Sequence, residues 1–319
     1  MTDDELSERL LASGVVDTHY HIGPELLDRR YDVASLADAA RRWNFALVLK
    51  NHTYPTTPLA ALARAKLGVR FYGSVVLNRF VGGLNPDAVY GAASGNRTVV
   101  DAHVADPPFV VYMPTVHAAA HLRVLGHAFD ARWSCGHAMD NLTDREGEAV
   151  SVYDADLHPA PGLADVLRAI AETGAILATG HLSADEIMAL VPMALESGVR
   201  RVLLTHPHYP SVELSDEQLC RLASDPRVFI EHCLAIHTIE EVPLSRFAES
   251  IRATGTQQVV LATDFGQIHS DPLPDGTLKF AKELHDLLKN EIDTADFIDM
   301  FSGNGRRALD SALTSEQSE

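Results

Sequence analysis

Basic side chains are scarce: 26 Lys and Arg stand against 44 Asp and Glu, for a formal net charge of −18. A field of that sign repels phosphate backbones and anionic lipid, which argues against nucleic acid or a membrane surface as partner. Cysteine is scarcer still. Cys135, Cys220 and Cys233 are odd in number and widely spaced, so neither a disulfide framework nor a Cys-based zinc site is expected. No apolar run approaches the ~18 residues of a membrane span, and Met1-Thr2-Asp3-Asp4-Glu5 has neither the basic nor the apolar region of a leader. A cytoplasmic location is expected. Internal repeats and low-complexity linkers are also missing, so the 319 residues are expected to form one domain, within the range of an α/β barrel.

What the chain does have is histidine, 16 in all, many at the ends of apolar runs. The first run passes through Val15-Val16-Asp17-Thr18-His19-Tyr20-His21 to a break at Gly23-Pro24. Strand alternation places His19 and His21 on one face, where two neutral imidazoles can grip one divalent ion. An isolated pair of this kind is as readily a surface feature, so the rest of the chain decides.

A helical pattern follows over 33–43 with Asp32 as N-cap. A strand over 45–49 ends in Lys50-Asn51-His52, a helix over 57–67 is closed by Gly68, and a strand over 69–77 precedes a helix over 86–95. The strand over 109–113 ends in Pro114-Thr115-Val116-His117. Regular alternation then fails from 118 to 160, a length that reads as a lid insertion; Phe129, Trp133 and Tyr153 either line a pocket from it or simply pack on the barrel. Order returns with a helix over 162–173 and a strand over 175–179 ending in Gly180-His181. Ser183 and Glu186 form a capping box. The strand over 199–204 leads to Thr205-His206-Pro207-His208, and Ser215 with Gln218 forms a second box. Strands over 227–230 and 258–263 end in Glu231-His232 and Asp264; helices over 278–290 and 295–312 close the chain, with 313–319 frayed.

Eight strands separated by helices predict a (β/α)8 barrel whose active site lies at the carboxyl ends of its strands. His19, His21, Lys50, His181, His206, Glu231 and Asp264 then ring one mouth, with His52, His117, His121 and His208 near enough to join as substrate contacts. Any one of these could be structural. The whole set without a ligand would leave too many buried polar groups unsatisfied.

Asp17-Thr18-His19-Tyr20-His21, Thr179-Gly180-His181, Thr205-His206-Pro207, Ala262-Thr263-Asp264-Phe265 and the closing 303–309 stretch together resemble the amidohydrolase superfamily over nearly the whole chain. They are most similar to a bacterial subfamily of its amidohydrolase-related branch. The resemblance implies a divalent metal, zinc first with manganese, iron, nickel or cobalt as alternatives. It implies that His19 and His21 bind it with His181 or His206, and that Asp264 contacts both metal and water. Strand four carries no acid or lysine to bridge two metals, so two arrangements stay open. The favoured one is mononuclear, with His19, His21, His181 and Asp264 as ligands and His206 as general base or electrophile. The other holds two ions, with His181 and His206 on the second and Lys50 as a modified bridge or its neighbour. An unmodified Lys50 at the mouth would hold a carboxylate or polarise a carbonyl, and Glu231 would orient a ligand imidazole.

The implied activity is metal-dependent hydrolysis of a small-molecule amide, cyclic amide, imide or lactone. A non-oxidative decarboxylase or hydratase is the rival among enzymes, and a catalytically silent metal-binding or sensing barrel the rival from another class. A homo-oligomer is left open.

Overall fold

The structure is a computed structural model that describes residues 2–100, 106–125 and 149–310. Eight strands, β1 (Val16–His21), β2 (Ala46–Lys50), β3 (Arg70–Val76), β4 (Phe109–Tyr112), β5 (Ile176–Ala178), β6 (Val202–Thr205), β7 (Val228–Cys233) and β8 (Val259–Ala262), lie in sequential order. Every neighbouring pair is parallel. Just beyond β8 the chain returns to β1: the Asp264 amide donates to the His19 carbonyl at 2.9 Å and the His21 amide to the Phe265 carbonyl at 2.7 Å. The fold is the expected (β/α)8 barrel.

Residues that alternate along the strands fill two cores. Val16, Val48, Val110, Ile176, Leu203 and Val260 meet inside the barrel, while the opposite faces, Leu47, Val111, Leu177 and Leu204 among them, pack against the helices. Ala308 and Leu309 close the lower end of the inner core. That leaves the upper end for polar groups.

Strict alternation would set Val16 on the face opposite His19 and His21, and the structure corrects this. Val16 pairs with Ala46 and His21 with Lys50, with a register break between Asp17 and Tyr20. The extra residue is a bulge. It puts apolar Val16 inside at the base and both histidines inside at the mouth.

The helix starts follow their caps. Asp32, Ser183 and Ser215 each accept from the amide three residues on, and in each the side chain at that position reaches back. The closing helix expected over 295–312 is instead two, Thr294–Phe301 and Gly303–Leu309. The break at Ser302 lets Asn304 Nδ2 donate to the carbonyls of Thr256 and Val259 at 2.7 and 2.6 Å, tying the segment to the entry of β8. A short helix, Leu234–Thr238, directly after β7 had no periodic signal at five residues. No described helix is long and apolar enough to cross a membrane. Of the expected lid, 126–148 lies outside the described residues, as do Phe129, Trp133 and the whole of the 313–319 tail expected to fray.

Candidate active site

Asp264 follows β8 with a positive φ of 53°. Its Oδ1 lies 3.0 Å from His19 Nε2 and 3.0 Å from His21 Nε2, and the three donor atoms fall within 4.8 Å of one another. Behind His19, Glu231 Oε2 sits 3.0 Å from Nδ1, while its Oε1 accepts from Thr18 Oγ1 at 2.5 Å. A carboxylate at Nδ1 fixes the proton there and leaves Nε2 as the lone-pair nitrogen. Lys50 Nζ, 2.7 Å from that Nε2 and 4.6 Å above the Tyr112 ring, is a pure donor and agrees with this tautomer. In that tautomer two lone-pair atoms, His19 Nε2 and Asp264 Oδ1, face each other beside the Lys50 ammonium, an arrangement that suits a cation.

The donor set fits a divalent metal. Bonds of ~2.1 Å in tetrahedral geometry put ligand atoms roughly 3.4 Å apart, close to the separations here. His206, whose ring stacks on His19 with centroids 5.8 Å apart, has both nitrogens buried and without a hydrogen-bond partner; His21 Nδ1 is likewise unpartnered. Such groups are costly unless something outside the protein takes their lone pairs. Burial pushes the His206 imidazole down to about 3 and those of His21 and His181 well below their usual range, which keeps them neutral. Burial also pulls at His19, but the carboxylates of Asp264 and Glu231 outweigh it and raise that imidazole. Asp264 itself is held well below the carboxylate range, because His19 and His21 overcome its burial. Burial lowers the Lys50 ammonium.

His181 meets His206 edge-on at 4.9 Å, and its Nδ1 lies 2.9 Å from His121 Nδ1. Tyr209, which carried no sequence signal, packs 4.4 Å from His181 and places its hydroxyl 3.3 Å from His121 Nδ1. In this conformation His181 and His206 do not belong to the compact group of His19, His21 and Asp264. His117 and His121 do not share a helical face: the helix Ala119–Leu125 begins after His117, which packs edge-on against Phe80 at 5.0 Å. His208 is turned away from the mouth. It stacks on His232 at 5.2 Å beside Phe247, because the positive φ of His206 breaks the strand and the side chains of 206 and 208 diverge. Tyr153 contacts Met193 Sδ at 3.7 Å and does not line the cavity.

His52 does reach the site, its ring 4.7 Å from that of His21. Its Nδ1 bonds to Glu25 Oε1, and Glu25 Oε2 accepts from Arg29 Nε. Neither Glu25 nor Arg29 was expected; their four-residue spacing in a loop was the only hint. Arg29, Lys50, His52, His181 and Asp264 border a cavity of about 50 Å³ that opens to solvent and whose apolar wall includes Leu27 and Ile236.

Asp17, also unforeseen, braces the site from behind. Its carboxylate accepts from Thr263 Oγ1 at 2.6 Å and from the amides of His19 and Thr263 at 3.0 and 3.2 Å, coupling β1 to β8. Burial pushes this carboxyl up to about 7 against those hydrogen bonds. The folded state therefore keeps a proton that the unfolded chain releases near pH ~3.9. In metal-free protein the associated stability is complete below that pH and is lost as pH rises to about 7, with a slope approaching ~1.4 kcal/mol per pH unit. Asp17→Asn is expected to flatten the fall in urea midpoint between pH 4.5 and 6.5. An equally steep fall in the variant would show that the proton is held elsewhere.

No curated protein sequence matches the chain. Among solved structures, an amidohydrolase from Pseudomonas aeruginosa is similar at a TM-score of 0.57 and 12% identity, covering 97% of this chain and 98% of that one. The probable dipeptidase PvdM from Pseudomonas aeruginosa is similar at 0.53 and 10% identity, covering 96% of each chain. At such identities the likeness is one of fold, and it agrees with the strand order and closure described above. A family profile matches residues 14–231, from the entry of β1 to Glu231, and on that match the chain belongs to a family of unknown function, DUF6282.

Proposed function

We propose that the protein is a metal-dependent hydrolase of a small molecule carrying an amide, cyclic amide, imide or lactone carbonyl. The observation that carries this reading is the convergence of His19 Nε2 and His21 Nε2 on Asp264 Oδ1 at 3.0 Å contacts, with the neutral His206, whose nitrogens have no hydrogen-bond partner, stacked on His19. His19, His21 and Asp264, with His181 or His206 completing the set, would hold a divalent cation, which would supply Lewis acidity and bring the pKa of water toward ~7. Asp264, ionised at neutral pH, takes the proton of the attacking water and passes it toward the leaving group. Glu231 holds His19 in the tautomer that offers Nε2. Lys50, which borders the cavity, faces the carbonyl oxygen and stabilises charge developing on it, and His206 joins it where His181 completes the metal set. The fold shared with an amidohydrolase and a probable dipeptidase is in keeping with hydrolysis.

One ion is favoured over two. Of the two further donor groups among the described residues, His21, Glu25 and His52 already hold the Arg29 guanidinium on Glu25, and in His19, Glu231 and Cys233 the Glu231 carboxylate is taken by Thr18 and His19 Nδ1 while burial pushes the Cys233 thiol up; strand β4 supplies no bridging acid. Metal analysis of protein reloaded with zinc or manganese is expected to give one ion per chain, unchanged in Lys50→Ala. Two ions, one of them lost in that variant, would overturn the mononuclear arrangement. Incubation with amides, hydantoins, imides and lactones is expected to release new carboxylate. Release of carbon dioxide with every amide intact would replace hydrolysis by decarboxylation, and a loaded protein inert in both assays would favour the sensing barrel.

A further inference from the structure

We infer that Arg29 is the seat of an anionic group on the ligand, and that the substrate is a small carboxylic acid with an apolar body between its carboxylate and the bond that is broken. The inference rests on the proposed hydrolase reading for the words "substrate" and "bond broken"; the anion seat itself does not need it.

Arg29 is buried, its side chain 2% exposed, yet it borders the cavity. An arginine serving as a structural ion-pair partner frequently presents two nitrogens to both oxygens of its carboxylate, as Arg252 does to Glu291. Here Glu25 takes a single contact, from Nε, because its other oxygen is held by His52 Nδ1 and by the His52 amide at 2.7 Å. The Nη2 contact to His52 Nδ1, at 3.5 Å, is long, and Nη1 has no partner among the described residues. Glu25 thus fixes the guanidinium in place without using its terminal fork, and no Arg29 nitrogen is among the buried side-chain atoms that lack a partner, so the fork is open to the cavity that Arg29 borders. A planar carboxylate matches that fork.

The surroundings set the class further. Of the charged groups bordering the cavity among the described residues, Arg29 and Lys50 are cationic, Asp264 belongs to the His19 and His21 face, and Glu240 stands at the half-buried rim. Leu27, Val116, Ile236 and Ile239 supply apolar wall. A ligand with one end on Arg29 and a carbonyl at Asp264 therefore presents hydrocarbon between them.

The test uses glutarate and its neutral isostere glutaramide as probes, titrated calorimetrically into zinc-loaded and zinc-free full-length protein. Glutarate is expected to bind and glutaramide to bind roughly 10–100-fold more weakly. Arg29→Lys is expected to lose a similar factor for glutarate alone. Should that variant fold poorly, Glu25→Gln with Arg29→Gln removes the pair together and must show the same loss. If glutarate affinity falls only with Lys50→Met or on zinc removal, the carboxylate sits at the metal face and the inference is overturned. Arg29-dependent glutarate binding in a protein that hydrolyses no amide or lactone would sustain the anion seat and remove the hydrolase reading. Hydrolysis whose kcat/KM is indifferent to substrate charge and to Arg29 would do the reverse.

Discussion

Asp264→Asn is expected to lower turnover by about 10³-fold or more while the barrel stays folded. Two losses combine. The amide keeps an oxygen near His19 and His21 but no negative charge, so the pair of 3.0 Å contacts no longer attracts a cation. The variant also lacks a base for the attacking water. Its side chain is 14% exposed, so an isosteric amide can find solvent for its hydrogen bonds. Glu231→Gln separates the two effects: it acts on His19 only through Nδ1 and is expected to weaken metal binding ~10–100-fold, with turnover recovering at saturating metal. Metal content and kcat measured together decide the matter. Turnover in Asp264→Asn equal to wild type at full metal loading would remove Asp264 from proton transfer.

Glu231 and Asp264 also mark where sequence reasoning reaches and where it stops. Their positions followed from counting strands, since each lies at the end of an apolar run between two helices, and barrel closure does the rest. The capping boxes at Ser183 and Ser215 were equally plain, because a cap and its partner lie three residues apart. Local periodicity could not foresee the bulge between Asp17 and Tyr20: a bulge is set by pairing with β2, and one extra residue reverses every face assignment before it. Glu25 and Arg29 lie in a loop without period, and what defines them is contact with His52 across the mouth. Tyr209 is likewise defined by its contacts with His181 and His121, and Asp17, though it stands in the β1 motif, becomes a brace only through its bonds to Thr263 where β8 meets β1. His208 failed for the opposite reason: nearness in sequence to His206 suggested nearness in space, and a positive φ at His206 undid it.

The closure between β8 and β1 depends on one backbone position, and Gly266→Ala is expected to break it. Gly266 has a φ of +120°, and a Cβ there would stand 2.1 Å from the His21 carbonyl oxygen and 3.0 Å from the His21 Cβ. Both obstacles are tied down, one in the β1 backbone and one in a histidine that faces Asp264. The chain cannot relieve the clash without moving the His21 amide off the Phe265 carbonyl. A cost of about 3 kcal/mol or more is expected, in the range of strained-site substitutions, with a melting temperature lower by roughly 5–10 °C. Gly68→Ala is the control. Gly68 also has a positive φ, +65°, but nothing lies within 4 Å of its would-be Cβ, so it pays only the left-handed backbone term of about 1–2 kcal/mol. Because the steric load in Gly266→Ala falls on His21, a proposed metal ligand, metal affinity should drop with stability, whereas Gly68→Ala should leave metal affinity at the wild-type value. Equal melting temperatures for the two variants, with metal content unchanged in both, would mean that closure at His21 and Phe265 does not hold the site together.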